Sequence, residues 1–273
     1  MSLMCLTLRV SRSGFYRWLY RDESARAQDD RRLTLLIRKM FDDSRGTYGS
    51  PRIHAALKAM GERVGHKRVE RLMRKAGVFV RAKRKFRRTT DSRHNKRVAP
   101  NILDQDFSVD APNKVWVSDI TYVWTDEGWL YLASTLDLFS RMVVGWSMST
   151  NLASTLVEDA LKMAFGLRSP PAGLIHHSDR GIQYAADSFQ ALLKKHGAVC
   201  SMSGKGNCFD NAVKESFFHT LKTELCYRRR YKTRAEARAS IFEFIEAFYN
   251  RSRIHSTLKY LSPLEFEAKH VAG

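Results

Sequence analysis

Along VWVSDITYVW, residues 115–124, apolar side chains fill both phases of a two-residue period. Val115, Val117, Asp119, Thr121 and Val123 fall on one face of a strand, and Trp116, Ser118, Ile120, Tyr122 and Trp124 on the other. A strand largely apolar on both faces is a central one, buried from two sides. WLYLASTLDLFS (129–140) and RMVVGWSMST (141–150) read as two more strands. Three strands without an intervening helix predict an antiparallel meander. The period then lengthens, with Leu156, Ala160, Leu161 and Ala164 at helical spacing in ASTLVEDALKMAFG (153–166). A short apolar strand in GLIHHSD (173–179), a helix over 187–196, a strand in AVCSMS (198–203) and a longer helix from about 210 follow.

The first third of the chain carries helical periodicity instead. In RRLTLLIRKMFDDS (31–44), Leu33, Leu36, Ile37 and Met40 share one side. GTYGSPRIHAALKAMGERVGHKRVERLMRKAGV (46–78) predicts two short helices around a glycine-containing turn, with Ser50 as N-cap and Pro51 at the first helical position. Ile53, Ala56 and Leu57 face the core from the first helix, and Val69, Leu72 and Met73 from the second. His66, Lys67, Arg68 and Arg71 lie on the exposed start of that second helix. The pattern is helix-turn-helix-like, with a basic helix of the kind that enters a major groove, although many helical hairpins share it. SRSGFYRWLYR (11–21) predicts a shorter helix.

The expected fold is therefore α/β. A mixed five-stranded sheet flanked by helices follows from the order β-β-β-α-β-α-β-α, which is also the order of the ribonuclease H-like fold. A small all-α, helix-turn-helix-like region precedes it. The expected divisions are residues 1–79 for the helical, helix-turn-helix-like region, 80–105 for a basic linker, and 106–273 for the α/β domain with its C-terminal helices.

Charge sharpens this picture. The chain carries 47 Lys and Arg against 28 Asp and Glu, a net of +19, which favours a polyanionic partner. Residues 1–100 hold 27 of the basic and 9 of the acidic residues, leaving 20 and 19 for the remainder. The densest stretch, VRAKRKFRRTTDSRHNKRVAP (80–100), includes Arg81, Lys83, Arg84, Lys85, Arg87 and Arg88. It reads as a solvated linker whose cations also track DNA or RNA phosphates. No apolar run approaches the roughly 18–20 residues needed to span a bilayer. The N-terminal apolar run is too short for a signal peptide, which ranks membrane below nucleic acid. Cys5, Cys200, Cys208 and Cys226 match no zinc-module spacing, so free thiols in a reducing cytoplasm are expected.

Asp119 is the anomaly of the apolar strand. An ionised carboxylate there is costly unless a basic side chain, a backbone cap or a metal offsets it. Two further carboxylates fit the same site. Asp179 falls where the strand in HHSDRGIQY (176–184) ends, a usual place for ligand-binding groups in open α/β sheets. Adjacent His176 and His177 point to opposite faces of that strand, so at least one packs or hydrogen-bonds. Glu215 lies on the helix in SMSGKGNCFDNAVKESFFHTLKTEL (201–225), on one face with Phe218 and Lys222, with Asp210 or Asn211 as cap. Three carboxylates converging at one sheet edge repel without cations. Hard oxygen ligands suit Mg²⁺ or Mn²⁺, and two such ions activate an attacking oxygen and stabilise a leaving one.

Fifty-nine residues separate Asp119 from Asp179 and thirty-five separate Asp179 from Glu215. That spacing, with WVSDITY, HHSDRGIQY and SMSGKGNCFDNAVKESFF around it, resembles the DDE transposases of the insertion-sequence-three family. Their catalytic core is similar to that of retroviral integrases. YNRSRIHSTLKYLSPLEF (249–266) resembles the family's C-terminal signature at Tyr249, Asn250, Arg253, His255, Leu258 and Pro263, and TYGSPRI its upstream helix-turn-helix region. The resemblance implies that Asp119, Asp179 and Glu215 bind two Mg²⁺ or Mn²⁺ ions, and that Lys222 contacts the terminal DNA. It implies 3′-end cleavage by water, then direct transesterification without a covalent enzyme intermediate, by way of a circular form of the element. No leucine-zipper heptads are present, so the chain resembles the family's downstream frame, which acts fused to or with an upstream-frame protein. DNA is the implied partner, at the element's terminal inverted repeats and at the target. Bringing two ends together implies at least a dimer. The same carboxylates also fit a ribonuclease H-type nuclease that cuts without joining, or a catalytically silent DNA-binding regulator.

Overall fold

The computed structural model describes residues 2–80, 99–204 and 211–271. They fall in two compact units, residues 1–80 and 81–273.

The first unit is helical: α1 (Ser2–Thr7), α2 (Arg12–Leu19), α3 (Ala25–Asp43), α4 (Ser50–Ala59) and α5 (His66–Lys75). Ser24 caps α3 by accepting the Ala27 N–H at 3.3 Å, so the helix begins at Ala25, six residues before the periodic stretch. Leu33 and Ile37 from α3, Ile53 and Leu57 from α4, and Val69, Leu72 and Met73 from α5 are buried. These are the apolar stripes the sequence predicts. The start of α4 differs from expectation. Gly49 is the N-cap and makes no side-chain cap bond, so Ser50 and Pro51 open the helix itself.

The second unit contains the expected mixed sheet, β1 (Val115–Thr125), β2 (Gly128–Asp137), β3 (Val143–Ser149), β4 (Ile175–Ser178) and β5 (Val199–Met202). Their order across the sheet is β3-β2-β1-β4-β5. β1–β2 and β2–β3 pair antiparallel, whereas β4 joins β1 and β5 joins β4 in parallel. The parallel steps require crossovers, which α6 (Ser154–Arg168) and α7 (Asp187–Lys195) provide. On one face Trp116, Ala133 and Val144 pack with Leu156, Leu161 and Phe165 of α6 and Phe189 and Leu193 of α7. Gly145 permits that approach: a Cβ there would lie 2.2 Å from the Ala160 carbonyl oxygen.

The other face of β1 and β2 meets α8 (Ala212–Glu224) and α9 (Arg234–Glu243), continued by a π-helical turn over Phe244–Tyr249. α10 (Pro263–Val271) ends the described chain. The C-terminal signature residues bind these elements together. Asn250 accepts the Val143 N–H and donates to the Val143 carbonyl, both at 3.0 Å, clamping the edge strand. Buried Arg253 grips Glu224 at the end of α8 through two bonds of 2.7 Å. Among the described residues, no helix is long and apolar enough to cross a membrane.

Candidate active site

The parallel ladder between β1 and β4 runs from Val115–Ile175 to Ser118–Ser178. Asp119 is the next residue of β1, and Asp179 directly follows the last residue of β4. Neighbouring strands lie about 4.8 Å apart, and Asp119 feels the charge of Asp179. α8 closes on this point, with Asn211 Nδ2 donating to the Ser118 carbonyl at 3.3 Å. Glu215 follows on the first turn of that helix and is exposed.

Each acid has a distinct setting. Asp179 Oδ1 accepts the Gly181 N–H at 2.9 Å, and a Cβ on Gly181 would lie 2.9 Å from that same oxygen. Glycine thus brings the backbone up to the carboxylate. Asp119 keeps some solvent contact but is surrounded by protein, and its Oδ1 accepts the Ile120 N–H at 2.7 Å. Burial, and next the charge of Asp179, push its pKa up to about 8. The Ile120 N–H and Lys214 oppose that rise, and Glu215 adds to it. Asp119 therefore feels both other carboxylates. Two like charges about 6 Å apart repel by about 3 kcal/mol at an effective dielectric of about 20.

Lys214 is the group that local sequence reading missed. Asp119 faces Ser134 in the β1–β2 register, and Lys214 Nζ donates to Ser134 Oγ at 2.6 Å. The ammonium is fully buried, 4.5 and 4.8 Å from the ring centres of Phe217 and Phe218. Burial holds its pKa well below that of an ordinary lysine, against the pull of Asp119. Of the three ways to offset a buried carboxylate, a backbone N–H and a nearby basic side chain are both present at Asp119. The signal in the sequence was helical spacing: Lys214, Phe217, Phe218 and Leu221 form the buried stripe of α8, one residue out of phase with Glu215. Phe218 is therefore buried, Lys222 half-buried and Glu215 exposed.

The histidines are hydrogen-bonded. Buried His176 Nε2 lies 2.8 Å from Ser118 Oγ, and burial, with His177 nearby, lowers its pKa to about 3, keeping the ring neutral. His177 spans Ser201 Oγ at 2.9 Å and Ser203 Oγ at 3.1 Å. Among the described residues, no three His, Cys, Asp or Glu side chains form a group that could hold a metal ion.

The remaining candidates separate by setting. Lys222 lies along α8, within electrostatic reach of Asp119. Lys67 is exposed at the start of α5. Arg68 pairs with Asp29 at 2.9 Å and Asp30 at 2.7 Å, and Arg71 with Asp30 at 2.7 Å. Their charges are engaged inside the helical unit, because α3 places two acids against the start of α5. Arg81, Lys83, Arg84, Lys85, Arg87 and Arg88 lie outside the described residues, as does Asp210.

Comparison with known proteins agrees with this architecture. Residues 109–208 and 215–271 each match an integrase core domain model, and residues 27–86 match an HTH-like domain. A 31 kDa protein of insertion element IS600 from Shigella sonnei is 47% identical over 267 residues, covering 98% of both chains. Transposase InsF for insertion sequence IS3A from Escherichia coli K12 is 44% identical over 271 residues, covering 98% of this chain and 94% of its own. Among solved structures, a simian T-cell lymphotropic virus intasome chain superposes with a TM-score of 0.50 at 14% identity, covering 85% of this chain and 74% of its own. That likeness extends to the fold. Given near-complete alignment to insertion-sequence proteins over both units, the chain belongs to the insertion-sequence-three family of DDE transposases, polynucleotidyl transferases built on an integrase core.

Proposed function

We propose that Asp119, Asp179 and Glu215 are the catalytic carboxylates of this transposase, and that they hold two Mg²⁺ or Mn²⁺ ions. What supports this reading is that Asp119 and Asp179 follow the end of the β1–β4 ladder, with Glu215 on the first turn of α8, and that Asp119 feels the charge of both. The donor set fits a hard cation, being all oxygen, and the acids repel one another enough to raise Asp119. Bound there, the ions would activate the attacking oxygen and stabilise the leaving one.

The chain's own groups prepare the site. The Gly181 N–H fixes one oxygen of Asp179, and Lys214 offsets part of the negative charge around Asp119. The Arg253–Glu224 pair anchors the far end of the helix that carries Glu215. The reaction is 3′-end cleavage of the element by water. The freed 3′-hydroxyl then displaces a second phosphodiester directly, so no covalent enzyme intermediate forms. Lys222 contacts the terminal DNA. Lys67 and the cations over 81–88 add phosphate contacts, and Arg68 and Arg71 join them if DNA draws them from Asp29 and Asp30. The protein works on paired element ends as at least a dimer, with or fused to an upstream-frame protein, at the bacterial nucleoid.

Asp179→Asn and Glu215→Gln test this reading. Each is expected to retain binding to the element's ends while reducing Mg²⁺-dependent nicking at least a hundredfold. Wild-type nicking rates in either variant would remove that residue from the site.

A further inference from the structure

The near-neutral balance of residues 101–273 hides a local concentration of charge. Residues 228–234, RRRYKTR, hold Arg228, Arg229, Arg230, Lys232 and Arg234 and no acid. The fold lays this segment against the tip of the β1–β2 hairpin. Tyr231 bridges Thr125 in parallel, and the Asp126 N–H donates to the Tyr231 carbonyl at 3.0 Å. Arg234 Nε donates to the Trp129 carbonyl at 3.2 Å. The tip has two acids of its own. Asp126 pairs with Arg230 at 3.1 Å, and Glu127 accepts the Arg234 backbone N–H at 2.8 Å. Cations still outnumber acids, and the Arg230 side chain is 84% exposed. Beside them Trp124 and Trp129, cross-strand partners 57% and 47% exposed, meet edge to face at 4.8 Å.

The position of this surface is set by two elements that leave the carboxylates together. β1 runs six residues from Asp119 to Thr125, about 20 Å at about 3.3 Å per residue. α8, tied at Asn211 to Ser118, spans 13 residues, about 20 Å at about 1.5 Å each. It leads into Cys226–Arg228 and then to the bridge at Thr125. Lys222 lies between, within electrostatic reach of Asp119 on one side and Cys226 on the other. Lys222 thus stands between the carboxylates and the basic segment at the hairpin tip. Over about 20 Å a duplex advances about six base pairs, at about 3.4 Å per phosphate along one strand.

We propose that the hairpin tip and residues 228–234 form a second DNA grip, which holds the phosphate backbone about six base pairs from the reacting phosphodiester. Arg230 and Lys232 take phosphates, and the Trp124–Trp129 pair rests against the sugar faces of the same DNA. DNA is the occupant that the charge favours, since the five cations of this segment outnumber Asp126, Glu127 and Glu236 around them. The distance rests on the reading that Asp119 marks the reacting phosphodiester.

The test measures binding of the full chain to duplex element ends over a range of salt, with Ca²⁺ to prevent cleavage. For Arg230→Ala/Lys232→Ala the slope of log K against log salt should fall by about 2, at about 0.9 for each phosphate contact. Trp124→Ala should weaken binding several-fold at an unchanged slope. The charge effect should vanish on a substrate whose duplex, on one side of the cleavage point, is trimmed to about four base pairs. An unchanged slope, or an effect that survives trimming on either side, overturns the proposal. So does a slope change accompanied by altered oligomeric mass, which would make the surface a protein interface. Asp119→Asn nicking assays on the same substrates separate the two readings. Nicking that depends on Asp119 with an unchanged slope rejects the grip alone, whereas nicking indifferent to Asp119 rejects the active-site assignment.

Discussion

Proton release on metal binding is the sharpest consequence of the site's electrostatics. Asp119, ordinarily near 3.8, is raised to about 8 by burial and then by Asp179. At pH 7 the cation-free site therefore favours a proton on Asp119, and a bound cation must expel it. Apparent Mg²⁺ or Mn²⁺ affinity should rise nearly tenfold per pH unit from 6 to 7, about 1.4 kcal/mol, and level off above about 8. The stability of the cation-free protein carries the matching sign. Above about pH 4 the unfolded chain has lost this proton while the folded chain keeps it up to about 8. The unfolded state thus binds fewer protons in that window, and stability falls as pH rises through it. Titration calorimetry with Mn²⁺ in two buffers of different ionisation enthalpy reads the released proton directly. Asp119→Asn should abolish the release. Lys214→Met, which removes an opposing positive charge, should move the plateau to higher pH. Metal affinity independent of pH from 6 to 8, or release that persists in Asp119→Asn, would refute the reasoning.

Other expectations concern the frame around the site. Arg253 has a side chain 3% exposed, so Arg253→Ala leaves Glu224 buried without its main partner and should cost about 3–5 kcal/mol in chemical denaturation. A much smaller loss would show that water reaches Glu224. Gly145→Ala places a methyl against the Ala160 carbonyl and should destabilise by about 1–3 kcal/mol, read as a lowered melting temperature. Deleting residues 1–100 removes 27 of 47 cations and should flatten the salt dependence of DNA binding while circular dichroism still reports a folded core. An unchanged salt slope would place the main DNA contacts in residues 101–273.

Periodicity carried most of the fold. The switch from period two to helical spacing after Ser149 marked the end of the meander, and the element order implied a mixed five-stranded sheet, whose strand order the fold then supplied. Asp119 stood out because a carboxylate in a two-faced apolar strand violates local chemistry. What stayed hidden depends on partners distant in the chain. Nothing around Arg68 or Arg71 announces Asp29 and Asp30, which meet them only when α3 packs on α5. Lys214 looks like an ordinary helix-surface cation until the buried stripe of α8 is placed on Ser134. RRRYKTR disappeared into a balanced regional charge, and its setting appears only when Tyr231 returns to Thr125. Asn250 and Arg253 were legible as a signature, but their tasks at Val143 and Glu224 required the fold.

The most direct test of the central claim is strand joining on DNA carrying the element's own ends. Wild-type protein, with its upstream-frame partner if required, and Asp119→Asn are compared in Mg²⁺ and in EDTA. The account predicts joined products with wild type and Mg²⁺, none in EDTA, and none from Asp119→Asn despite intact binding. Joining that survives the loss of the Asp119 carboxylate would contradict it.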